Sequence, residues 1–149
     1  MEQFSKKQLD DALSLLAHRI QVTGKTPLEL VVCGGSALIA TNLIERTTKD
    51  VDIIALNGPA GFIDPDPLPD YLVESASYVA RILNLPFDWI NTGPADLFRM
   101  GLPVGFAQRL VKRVYGPSLA VLFISRIDQI HFKLYAAVDR GGYHIDDLL

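Results

Sequence analysis

Cysteine is nearly absent: Cys33 is the single one among 149 residues, which excludes an internal disulfide and any cysteine-rich zinc site. Long apolar runs are missing as well, and none approaches the roughly 20 residues that a membrane span requires. Neither sign of charge is in large excess. A net charge of −3 and a pI of about 5.5 argue against indiscriminate binding to polyanions and leave room for a local basic patch. The opening stretch, MEQFSKKQLDDALSL, is charged and amphipathic and does not read as a signal peptide, so a reducing cytoplasm is the expected compartment. There is no internal repeat, low-complexity tract or interdomain linker. Hydrophobic residues make up 49% and charged residues 21%, the composition of one ordered globular domain over residues 1–149, long enough to bury a core without metal or disulfide staples.

Residues Ser5 to Thr23 read as a helix, with Ser5 and Gln8 as a capping box, Leu9, Ala12, Leu13, Leu16 and Ile20 at helical spacing, and Gly24 as the stop. Leu28 to Cys33 is a strand candidate and Ala37 to Ile44 a short helix-like segment. Asp50 to Leu56 alternates and then turns wholly apolar, as a strand entering a core does. The stretch NGPAGFIDPDPLP is expected to be irregular surface and a candidate lid. Asp70 to Asn84 is a second amphipathic helix, and a brief extended piece is expected over Phe87 to Ile90. Arg109 to Tyr115 and Leu119 to Ile124 look like adjacent strands, the second apolar on both faces and central. Ser125, with Asp128 three residues on, starts a helix to Arg140, stopped by Gly141 and Gly142. Its apolar stripe of Ile127, Ile130, Leu134 and Val138 is expected to be the buried face, flanked by Arg126, Lys133 and Arg140 at seven-residue intervals. The final YHIDDLL reads as the opening turn of another helix, so the chain is expected to be truncated at its C-terminus or to dock there on a partner.

Two clusters carry chemistry. A strand that runs into Gly34-Gly35-Ser36 and then a helix presents backbone N–H groups and a hydroxyl at a helix start, where phosphate is the usual occupant; the plain alternative is a strand-to-helix turn. Asp50 and Asp52 alternate on a strand, so their carboxylates share a face roughly 6–7 Å apart along the chain. Two such charges call for a cation, and hard oxygen ligands suit Mg²⁺; the alternative is a solvated strand end paired with Arg46 or Lys49. TGKT at Thr23 to Thr26 lacks the earlier glycine of a P-loop, with Arg19 in its place. His18, His131 and His144 have no metal-ligand spacing, and Trp89 reads as a core anchor. Arg109, Lys112 and Arg113 could steer a nucleic-acid acceptor but split between two strand faces.

GGSALI…ERTTKDVDII, residues 34–54, resembles the signature of the DNA polymerase β-like nucleotidyltransferase superfamily. With SRIDQIHFKLYAAVDRGGYHIDDL, residues 125–148, it looks most like the minimal bacterial nucleotidyltransferases, the abortive-infection toxin type among them. The resemblance implies that Gly34, Gly35 and Ser36 cradle phosphate, that Asp50 and Asp52 hold Mg²⁺, two ions with Mn²⁺ as an alternative, and that Lys133 meets phosphate or nucleobase. Arg140, Asp146 and Asp147 match the closing part of the later motif, and Arg140 joins the phosphate-binding set. The implied activity is transfer of a nucleoside monophosphate from a nucleoside triphosphate to a hydroxyl or phosphate acceptor: RNA, protein or a small molecule. Active members place a third carboxylate on a later strand; Asp88 is the best-placed candidate for this catalytic position and Asp96 a substitute. Without that carboxylate, the rival reading is a nucleotide-binding protein, catalytically weak or inactive, that acts through a protein partner such as a toxin–antitoxin component.

The expected fold is therefore α/β (α+β): a small mixed, twisted sheet with helices mainly on one face, its first two strands carrying the Gly-Gly-Ser and the Asp-x-Asp.

Overall fold

A computed structural model describes residues 5–34 and 50–139, with side chains to residue 134. Among the described residues it is a mixed α/β structure with one six-stranded sheet and five helices.

The first helix, α1 (Lys6–Thr23), starts at the expected capping box. The Ser5 hydroxyl accepts the Gln8 N–H, and the Gln8 side chain accepts the Ser5 N–H at 2.8 Å. Leu9, Ala12, Leu13, Leu16, Ala17 and Ile20 form its buried stripe. Each of the large aliphatic side chains in that stripe contributes about 1.5–3 kcal/mol. Gly24, at φ +68°, ends the helix.

Five strands lie in the order β3–β2–β1–β6–β5, and a sixth, β4, pairs with β2. Here β1 is Leu28–Cys33, β2 Val51–Gly58, β3 Gly61–Ile63, β4 Ile90–Asn91, β5 Val111–Gly116 and β6 Leu119–Phe123. β1 is central, antiparallel to β2 and parallel to β6. Every residue of β6 is buried, as are Leu30 to Cys33 and Ile53 to Leu56. Strands covered on both faces need apolar residues at consecutive positions, which is why these segments read as continuous runs. β2 carries a bulge: Val31 faces Ala55 while Val32 faces Ile53, leaving Ile54 as the extra residue. The bulge brings Asp52 into register with Cys33, so Asp52 stands beside the last residue of β1.

The second long helix, α2 (Asp70–Leu83), packs on α1, and Asn84 closes it in a left-handed conformation. Trp89, fully buried, donates its indole N–H to the Ala76 carbonyl of α2 at 2.9 Å. That bond fixes the chain just before β4 and delivers Asn91 to the flank of β2, paired with Asp52 in a parallel register. Two short helices follow, α3 (Ala95–Met100) and α4 (Phe106–Arg109), and then the last, α5 (Arg126–Asp139). Edge-to-face rings, Phe62 to Phe106 at 5.6 Å and Phe106 to Phe132 at 6.1 Å, join β3, α4 and α5.

Four expectations change. NGPAGFIDPDPLP is not irregular throughout: Asn57 to Ile63 forms a hairpin, with Leu56 facing Ile63 and Gly58 facing Gly61, because Gly61 supplies the φ of +123° that the turn needs. The extended piece at Phe87 to Ile90 shrinks to Ile90–Asn91, since Phe87 and Asp88 form a turn. The strand expected from Arg109 begins at Val111, because Arg109 ends α4. The stripe of α5 is also turned. Ile127, Ile130 and Leu134 are exposed at 64, 45 and 51%, whereas Asp128 and Phe132 are buried. The reason is an ion pair with Arg109, described below, that holds the buried Asp128 inward. Ala37 to Ile44, Arg140 and the closing segment lie outside the described residues, and Val138 lies beyond the described side chains. Among the described residues, no helix is long and apolar enough to cross a membrane.

Candidate active site

The carboxyl end of β1 and the amino end of β2 meet at one cavity. It measures about 780 Å³ and is lined by Gly34, Asp52, Asn91, Gln129 and Lys133 on its polar side and by Leu97, Met100 and Phe132 on its apolar side. Each polar group reaches it by a local cause. Gly34 follows β1 at φ +78°, and a Cβ there would lie 2.5 Å from Asp52 Oδ2. Positive φ favours glycine there, and any side chain would have to displace the Asp52 carboxylate. Asp52 is carried by β2 to the place opposite Cys33 and is half-buried.

Asn91 orders that carboxylate. Its Nδ2 donates to Asp52 Oδ1 at 2.9 Å, and its Oδ1 accepts the Gly93 N–H at 2.9 Å. The second bond fixes which end of the carboxamide faces the aspartate. Asp50 sits just before β2, half-buried. Its field and that of Asp52 are both felt at Cys33, whose thiol is pushed well above its usual range, first by burial and then by these carboxylates.

Helix α5 supplies the facing wall. Ser125 and Asp128 bond reciprocally at its start, the hydroxyl donating to Asp128 Oδ2 at 2.8 Å. Arg109 grips the same carboxylate in a fork, with Nη2 at 2.6 Å from Oδ1 and Nε at 3.0 Å from Oδ2. Asp128 is 1% exposed, so the pair locks α4 to α5. Gln129, the next residue, bonds to Gly34, and Lys133 lies one turn further on, exposed and on the cavity wall. Arg99, which also lines the cavity, is surrounded by Asp64 at 2.7 Å, Asp96 at 2.8 Å and Asp66 at 3.5 Å. The bonds to Asp64 raise its pKa and hold the Asp64 carboxyl below its usual range.

Of the residues singled out in the sequence, Gly34, Asp52 and Lys133 are brought together in one cavity, and Asp50 immediately precedes the strand that carries Asp52. Asp88 lies in the exposed turn before β4 and is not among the residues lining this cavity; Asp96 is. Gly35, Ser36, Arg140, Asp146 and Asp147 lie outside the described residues. The cations considered for steering are committed elsewhere: Arg109 to Asp128, Lys112 to Glu29 at 3.1 Å and Arg113 to Asp10 at 3.6 Å. Asn91 and Gln129 are among the cavity residues that the sequence did not point to. Asn91 gave no signal as a carboxamide. Gln129 precedes Lys133 by four residues and shares its helix face, a spacing that could have flagged it.

Among the described residues, no cluster of three or more histidine, cysteine or acidic side chains is placed to hold a metal ion. Mg²⁺ commonly takes one or two carboxylates and completes its shell with water and phosphate oxygens. Of the two carboxylates that would hold it, Asp52 lines the cavity, whereas Asp50, just before β2, is not among the lining residues.

A mixed sheet with a glycine-tight strand end, a carboxylate on the adjoining strand and a lysine lining the same cavity puts both signs of charge in one pocket. Comparison with protein-family models agrees in class: the chain belongs to the family described as "Nucleotidyltransferase of unknown function (DUF6036)", whose model matches residues 8–147. No curated protein and no solved structure gives a significant match.

Proposed function

We propose that this protein is a Mg²⁺-dependent nucleotidyltransferase of the DNA polymerase β-like superfamily, allied to the minimal bacterial and abortive-infection toxin types. It moves a nucleoside monophosphate from a nucleoside triphosphate to a hydroxyl or phosphate acceptor, with pyrophosphate leaving. The observation that carries the reading is the apposition of Gly34 and Asp52 in a cavity that Lys133 also lines. When bound, the cation would polarise the phosphoryl oxygens and lower the pKa of the attacking hydroxyl. Asp50 and Asp52 would bind it, Gly34 leaves room for the Asp52 carboxylate, and Lys133 would offset charge that develops on the phosphates. The acceptor is RNA, a protein side chain or a small molecule, and the setting is the cytoplasm.

One observation favours a second reading. Beside Asp52 in the parallel register stands Asn91, a carboxamide where a third carboxylate would help deprotonate the acceptor. In that reading the protein binds nucleotide, transfers slowly or not at all, and acts through a protein partner such as the other half of a toxin–antitoxin pair.

The test is transfer of label from α-phosphate-labelled nucleoside triphosphates, with Mg²⁺, into RNA, protein and small-molecule fractions of a cell extract. Label that appears with the wild type and not with Asp50→Ala/Asp52→Ala supports the enzyme and names the acceptor class. Equal silence of both across all four nucleotides removes it in favour of the binding protein.

A further inference from the structure

Gln129 makes two hydrogen bonds to one residue 95 positions away. Its Oε1 accepts the Gly34 N–H at 3.0 Å and its Nε2 donates to the Gly34 C=O at 2.8 Å. The side-chain amide thus pairs with a backbone residue as a neighbouring strand would, and it does so where β1 ends. The single N–H of Gly34 is thereby occupied, and its C=O has a partner.

The surroundings make this pairing a fixed point. Asp128, next to Gln129, is buried against Arg109 and Ser125, so the start of α5 cannot slide without opening an ion pair. Gly34 in turn abuts the Asp52 carboxylate, which Asn91 holds from the other side. Lys133 lies one helical turn beyond Gln129 and lines the same cavity. The chain of contacts therefore runs from Asn91 through Asp52 and Gly34 to Gln129, and along α5 to Lys133.

We propose that Gln129 is a positioning residue: it holds Gly34 against Asp52 and sets the placement of Lys133 in the cavity that Asp52 also lines. The role rests on the nucleotidyltransferase reading and refines it. Because its N–H is given to Gln129, Gly34 serves the site by its missing side chain and not as a phosphate donor.

Two measurements on Gln129→Leu, which keeps similar bulk and removes both bonds, test the proposal. The first is amide exchange of Gly34 by NMR without ligand, compared with Val31 and Val32 in β1. The second is the affinity for each of the four nucleoside triphosphates with Mg²⁺. The expected result is Gly34 exchange faster by about 10-fold or more with β1 unaltered, together with nucleotide binding weakened about 10-fold. Tyr115→Phe, which removes the 2.7 Å bond to Asp10 outside the cavity, is the comparison. It lowers stability and leaves nucleotide affinity unchanged. Unaltered Gly34 exchange in Gln129→Leu overturns the clamp. Faster exchange with equal or tighter nucleotide binding overturns the positioning role and makes Gln129 a latch that phosphate must displace. A loss of affinity matched by Tyr115→Phe at equal loss of stability overturns it too. A wild type that binds none of the four nucleotides overturns the nucleotidyltransferase reading itself, and the clamp is then judged by the exchange of Gly34 alone.

Discussion

Alanine at Gly34 should cost more than a left-handed glycine normally does, and the excess should belong to Asp52. Two glycines make the comparison possible. Gly24 has φ +68° and nothing within 4 Å of an added Cβ, whereas Gly34 has φ +78° and Asp52 Oδ2 at 2.5 Å. The left-handed conformation alone costs a non-glycine residue about 1–2 kcal/mol, and this is the whole expected effect of Gly24→Ala. At Gly34 the carboxylate must swing away as well, and its Oδ1 is tethered to Asn91. A hydrogen bond to a charged group contributes about 1.5–3 kcal/mol, with the lower end appropriate to a half-buried group, so Gly34→Ala should cost roughly 2–4 kcal/mol. Urea denaturation of both variants, in the wild-type and Asp52→Ala backgrounds, isolates the difference. With Asp52 removed, the two alanine substitutions should cost the same. An excess at Gly34 that persists without Asp52, or no excess with it, refutes the contact as the cause.

Three further outcomes are expected. Asp128→Asn should destabilise the fold by about 1.5–3 kcal/mol through loss of charge-assisted bonds inside the protein, while Asp96→Asn, at an 82% exposed carboxylate, should be near neutral in the same urea titration. Asn91→Asp puts a carboxylate directly beside Asp52 and should tighten Mn²⁺ binding about 10-fold by calorimetry, with a loss of stability in the absence of metal from the like charges. Glu29 is held below the usual carboxylate range by the Asn57 carboxamide, then by the Lys112 ammonium. Its contribution to stability is present above its unfolded pKa and lost as pH falls through the lower folded value, so urea midpoints between about pH 3 and 6 should fall less steeply in Glu29→Gln than in the wild type.

The parts of the fold that sequence made legible are those where one physical signal acts alone. The capping box of Ser5 and Gln8 and the uninterrupted stripe from Leu9 to Ile20 define α1, and the unbroken apolar runs of β1, β2 and β6 mark strands covered on both faces. Reading failed where two signals competed. Around Gly58 to Ile63 the glycine and proline content hid a strand of three residues, too short for alternation to register. On α5 the aliphatic residues Ile127, Ile130 and Leu134 suggested one face, but the fork of Arg109 on Asp128 sets another, and a buried carboxylate cannot be recognised without its partner 19 residues away. The site divides in the same way. Gly34 and Asp52 were legible because each stands at the end of a strand, and the antiparallel pairing of β1 with β2 makes those ends adjacent. Asn91 and Gln129 were not, because a carboxamide carries no charge to mark it, and their roles arise from contacts 39 and 95 residues apart.

Calorimetric titration of the wild type and of Asp52→Ala with the four nucleoside triphosphates, each with Mg²⁺ and again with a chelator, tests most directly whether this cavity receives a nucleotide and its cation together. Binding of at least one nucleotide by the wild type with Mg²⁺, lost with the chelator and lost in Asp52→Ala, is the predicted result. Binding that is indifferent to both Mg²⁺ and Asp52, or no binding by the wild type, contradicts it.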